Sequence, residues 1–123
     1  MEKFIKKRLV YLYNVQREKE KQIRILCRDI DAKVEKIRPE QTREPIGTLM
    51  GINVKKTAGE GEEINDEMMI LCGFSDRELD GFLKGYKERN IDPIELKAVV
   101  TEHNILWSLE HLYKELKGER KGR

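Results

Sequence analysis

The chain has 123 residues, 38% of them hydrophobic and 39% charged, enough for one domain whose core buries roughly two-thirds of the unfolded surface. A net charge of +2 makes no general case for nucleic acid, and the two cysteines, Cys27 and Cys72, exclude a disulfide-rich scaffold and suit a reducing compartment. No apolar run approaches the roughly 20 residues of a membrane span, and Met1–Lys7 has no apolar stretch behind its charges to make a signal peptide, so a cytoplasmic protein without membrane contact is expected.

Leu9–Tyr13 is apolar and aromatic on both faces and predicts a buried strand. Asn14 then stands where a helix N-cap belongs, since its side-chain oxygen can accept from an orphan N–H of the first turn. Ile23, Leu26, Cys27 and Ile30 recur at helical spacing and make one narrow apolar stripe. Lys33–Ile37 alternates polar and apolar, as a half-exposed edge strand does, and Arg38-Pro39 ends it. Pro45–Gly51 predicts one helical turn packing Ile46, Leu49 and Met50. Residues 56–66 read as a mobile acidic loop.

Met68–Cys72 is an unbroken apolar run, the pattern of a strand covered on both sides. Ser75 and Glu78 form a capping box for a helix that turns Leu79, Phe82, Leu83 and Tyr86 inward. Gly81 and Gly85 weaken this helix by up to about 1 kcal/mol each and allow close approach of a neighbour. Leu96–Val100 predicts a fourth strand, and residues 101–104 turn the chain into a last helix with the stripe Ile105, Leu109, Leu112 and Leu116. Lys117-Gly118 opens a basic tail, 117–123, expected to fray.

These elements predict an α/β fold: a four-stranded, mainly parallel sheet in the order 2-1-3-4 with helices on both faces. A ferredoxin-like sandwich, order 4-1-3-2 with an antiparallel sheet, is the alternative. A fully parallel sheet gathers its strand C-termini on one rim, with a ligand crevice between strands one and three. It brings Asn14, Gly73, Phe74 and Ser75 together, with Thr101, His103 and Asn104 one strand away. Two helix N-termini aimed at that crevice suit a small anion.

Each residue has a plainer reading. Ser75 is a helix cap, because no G-x-S-x-G elbow surrounds it. Cys72 is a packed thiol unless burial and neighbours leave it exposed and acidic. His103 and His111 stand too far apart for i, i+4 zinc ligation, so no metal or other cofactor is expected. Lys97 interrupts an apolar strand, which an edge position explains. Trp107 lies off the last helix's stripe and suits core packing more than stacking on a ligand.

In sequence order, the chain carries Cys72-Gly73-Phe74-Ser75, Leu79-Asp80-x-Phe82-Leu83, Leu96-Lys97-Ala98-Val99-Val100-Thr101, Asn104-x-x-Trp107 and Leu112-x-x-Glu115-Leu116. Over residues 70–118 this series resembles a bacterial family catalogued as domain of unknown function number 3783. Members often have proline after the threonine, where this chain has Glu102. The resemblance implies no activity, ligand or catalytic residue, but it singles out Lys97, Thr101, Asn104 and Trp107.

The function expected is a small non-catalytic module that binds a protein partner or a small anionic ligand at the rim, with a homodimer allowed. The candidate contacts are Asn14, Gly73, Ser75, Lys97, Thr101, Asn104 and Trp107. Two alternatives stand beside it: a small enzyme using Cys72 or Lys97, and a weak nucleic-acid binder using the basic N-terminal face and tail.

Overall fold

The computed structural model describes residues 8–54 and 61–121. Four strands, β1 Leu9–Tyr13, β2 Lys33–Lys36, β3 Met68–Cys72 and β4 Leu96–Val99, form one sheet in the order β2-β1-β3-β4. This is the predicted order, with the polar β2 on a border. β1 and β2 run parallel, as do β3 and β4. The central pair β1 and β3 is antiparallel, with Leu9 opposite Cys72 and Tyr13 opposite Met68.

That one reversal removes the common rim. The C-terminal ends of β1 and β3 open on opposite edges of the sheet, so Asn14 does not meet Gly73 or Ser75. The long connection after β2 returns beside the end of β1 and enters β3 from that side. There Asn14 Nδ2 donates to the carbonyls of Ile64 and Asp66, each at 3.4 Å.

Helices cover both faces. α1 Arg17–Asp29 and α3 Asp76–Glu88 lie on one, and α2 Ile46–Leu49 and α4 Leu109–Lys121 on the other. The first core joins Val10, Leu12, Met69 and Leu71 of the sheet to Ile23, Leu26, Cys27, Phe82 and Tyr86 of the helices. The second joins Tyr11, Met68, Ile70 and Leu96 to Ile46, Leu109, Leu112 and Tyr113. All five residues of β3 are buried, which is why its sequence is apolar without alternation.

The α1 stripe buries Ile23, Leu26 and Cys27, while Ile30 sits at the C-cap and is partly covered. Asn14 is not the cap. Its backbone is left-handed, φ 59°, and Gln16 occupies the N-cap position without a side-chain bond. In α3 the capping box forms as expected, Glu78 N donating to Ser75 Oγ (3.1 Å) and Ser75 N to Glu78 Oε1 (2.9 Å). Leu83 does not turn inward but stays 38% exposed. Gly85 permits a close approach, since a Cβ there would lie 3.0 Å from Leu26 Cδ1, whereas Gly81 meets nothing.

After β4 the chain makes a 3₁₀ turn, Asn104–Leu106, and α4 begins only at Leu109, so Trp107 precedes the helix rather than riding on it. Ser108 Oγ accepts from His111 N (3.0 Å) and caps α4. The helix extends to Lys121, with Lys117 over the Tyr113 ring and paired with Glu62, and residues 122–123 of the expected basic tail lie outside the described residues. Part of the expected acidic loop, 56–60, lies outside the described residues. Within its remainder Ile64 is buried, and Tyr113 Oη donates to Asp66 Oδ2 at 2.6 Å.

Candidate functional site

Gly73, Ser75, Thr101 and Asn104 follow the parallel strands β3 and β4 and therefore share one edge of the sheet. The polar side chains among them are occupied there by the protein's own backbone. Gly73 has φ +80°, a conformation that lets the chain turn straight from β3 into α3 and that side chains with a Cβ resist. Thr101 and Asn104 close a reciprocal turn: Thr101 N donates to Asn104 Oδ1 (2.8 Å) and Asn104 N to Thr101 Oγ1 (3.1 Å). Asn104 Nδ2 also donates to Val99 O (3.0 Å), and the residue is buried. This turn ends β4 with its polar groups satisfied. Trp107 stacks on His111, ring centroids 4.3 Å apart, and packs against the second core.

The helix N-termini are occupied too. At α3 the Glu78 carboxylate receives Ser75 N and pairs with Arg8, and the Ser75 backbone bond together with Arg8 holds its carboxyl below the usual range. Beside the N-terminus of α1, Glu67 accepts from Gln16 N (3.0 Å) and pairs with Lys19, a buried lysine that also donates to Pro93 O. Both of these helix N-termini thus already hold a carboxylate of the protein itself. Sequence reading missed Lys19 and Glu67, because nothing in a run of charged residues marks which one is covered.

Lys97 lies on a border strand, as its charge required. It is exposed, and its Nζ donates to Ile94 O at 3.0 Å. It borders a cleft of about 690 Å³ between α3 and β4 whose walls include Met69, Leu83, Tyr86 and Ile91. Lys87, Asn90, Asp92 and Pro93 complete the lining, and Tyr86 Oη fixes that wall by donating to Asp92 O at 2.6 Å. The half-exposed Leu83 is the sequence signal for this cleft, being an apolar residue on a helix flank that the sheet does not reach. Lys97 is the one predicted site residue that lines it.

Both cysteines are free and fully buried. Burial pushes each thiol up to about 11, and Tyr11 and Tyr86 are pushed up to about 12, chiefly by burial. Iodoacetamide at pH 8 is therefore expected to modify the native protein about a hundredfold more slowly than a free thiol of ordinary acidity. Alkylation of Cys72 at the ordinary rate in the folded protein contradicts this assignment. A raised folded pKa stabilises the native state while the unfolded group is still protonated. That contribution is lost as pH climbs from about 9 through the folded values, so the same groups predict weakening of the fold toward pH 11–12.

Among the described residues no helix is long and apolar enough to cross a membrane. Neither the curated proteins nor the solved structures yield a match to the chain. The segment that carries β3, α3, β4, the Thr101–Asn104 turn and α4 does have a counterpart: residues 67–121 match the model of the family described as Domain of unknown function (DUF3783).

Proposed function

We propose that the protein is a small non-catalytic binding module whose ligand site is the cleft between α3 and β4. The observation that carries this reading is the cleft's lining, an apolar floor of Met69, Leu83, Tyr86 and Ile91 with Lys87 and Lys97 at its border. Its volume of about 690 Å³ falls in the range of small-molecule sites, which are mainly apolar with a few placed polar groups. Two lysines against one carboxylate, Asp92, favour an amphipathic ligand with an apolar body and one anionic group. The occupied helix N-termini and the neutral buried thiols argue against an anion site at the strand ends and against thiol chemistry. A reducing, cytoplasmic setting fits the two unpaired cysteines.

The test is a titration with 4-phenylbutyrate, followed by amide shifts in two-dimensional NMR. Shifts are expected at Lys87, Ile91 and Lys97, with affinity falling about tenfold in Lys97→Gln. No shifts at millimolar ligand refute the reading. A protein partner is the second reading, favoured by the outer edge of β4, where Val99 is 38% exposed and an extended peptide would add as a strand.

A further inference from the structure

The two halves of the sheet repeat one another. β1 and β3 have equal lengths and lie 59 positions apart (9 to 68), and α1 and α3 keep the same offset (17 to 76) and the same 13-residue length. The correspondence extends to backbone detail. Asn14 and Gly73 both have positive φ after the strand, and Asp31 and Asn90 both have it after the helix. Ile23 and Phe82, equivalent positions of the two helices, are each wholly buried.

β2 and β4 follow at an offset of 63 (33 to 96), each succeeded by a 3₁₀ turn and then an α-helix. The halves meet about a local two-fold axis. On the sheet it passes between β1 and β3, whose antiparallel register exchanges equivalent residues: Leu9 opposes Cys72 as Tyr13 opposes Met68. On the α2/α4 face it passes through the bridge between Pro45 and Ser108, which are themselves 63 positions apart.

Two ion pairs cross this seam, Arg8 with Glu78 and Lys19 with Glu67. Shifted by 59 positions, residue 8 becomes 67 and residue 19 becomes 78. The two clasps are therefore one interaction seen twice about the axis, with its charges reversed. Self-pairing of the second unit would set Glu67 against Glu78 of its copy, twice. Self-pairing of the first would set Arg8 against Lys19. Only unlike units bring opposite charges together, a known route to partner choice.

We propose that residues 8–54 are a diverged copy of the unit in residues 67–121, and that the β1–β3 seam is the surface by which two such units pair. The charge-reversed clasps key that surface to an unlike partner. The first half then serves the second as a built-in subunit, and the partner that this surface fits is another copy of the same unit. This does not depend on what occupies the α3–β4 cleft.

The test uses the whole chain with Val10→Asp and Tyr11→Pro, which evict β1 and free the inner edge of β3. Trp107 fluorescence reports whether the second unit stays folded, and sedimentation gives its association. In a self-pair Ile70 would oppose Ile70 of its copy, while Glu67 would repel Glu78, so association is expected to be weak. Adding Glu67→Lys turns both repulsions into attractions and is expected to tighten dimerisation at least about tenfold, a gain that shrinks as salt rises.

Equal association with and without Glu67→Lys, absence of a dimer from both chains, or Trp107 emission typical of unfolded chain in both overturns the proposal. A second arm leaves β1 intact. With a protease site between Val54 and Gly61, the cleaved halves are expected to remain a one-to-one complex at micromolar concentration. Their separation into free fragments likewise overturns the seam as an interface between units.

Discussion

Phe82→Ala is expected to remove about 3–5 kcal/mol of stability, a large share of the roughly 5–15 kcal/mol that holds a domain together. Phe82 is wholly buried in the first core, edge-on to Phe74 at 5.6 Å and tilted against Tyr86 at 6.1 Å. It packs α3 onto the sheet beside Met69 and Leu71 while α1 closes the other side, so a cavity there has no mobile neighbour to fill it. Urea unfolding measures the effect as a fall in midpoint at unchanged slope. Leu83→Ala, one residue along but partly exposed, is the control and is expected to lose under about 1 kcal/mol. Equal losses from the two substitutions contradict the helix orientation.

Asn104→Ala is expected to cost about 2–3 kcal/mol. The substitution leaves Thr101 N and Val99 O without partners in a covered turn, and each abandoned polar group carries a desolvation penalty of about 1–3 kcal/mol. Asn104→Asp keeps the acceptor for Thr101 N but loses the donor to Val99 O, and is expected to fall between wild type and alanine in thermal unfolding. Lys97→Gln, a surface change, is expected to stay within about 0.5 kcal/mol. Ligand affinity should separate the same residues in the opposite way: measured well below the melting temperature, Asn104→Ala keeps it and Lys97→Gln does not. Affinity lost in Asn104→Ala with stability unchanged assigns the turn to the ligand instead.

Much of this architecture was legible in the residues. The doubly apolar β3, the polar β2, the Ser75–Glu78 box and the edge lysine Lys97 each follow from one local rule, and right-handed crossovers between parallel strands then gave the strand order. Direction was legible only in part: the sheet is mainly parallel, as expected, but nothing in the residues marks the central pair as the reversed one. An apolar run looks the same whichever way its neighbour runs, and the long connection after β2 suits either return. That ambiguity undid the common rim, since the rim depends on direction alone.

Asn14 shows the same limit on a smaller scale. Asparagine is favoured both at an N-cap and in a left-handed turn, and only the fold decides between them. The repeat was hidden for a different reason. Between Leu9–Asp29 and Met68–Glu88 a single equivalent position, Leu12 against Leu71, is identical. Burial and backbone geometry were kept while side-chain identity drifted, and the two clasps even exchanged their signs.

The antiparallel seam also sets a timetable. β1 obtains its inner neighbour only from residues 68–72, so during synthesis at about 5–20 residues per second roughly 3–12 s separate completion of β1 from completion of β3. Through that interval the N-terminal strand–helix–strand segment carries an open strand edge beside Val10 and Leu12, the kind of edge on which nascent chains aggregate. Arg17–Arg28, the charged outer surface of α1, emerges within the same interval and gives the half-made sheet a solvated side before its partner strand arrives.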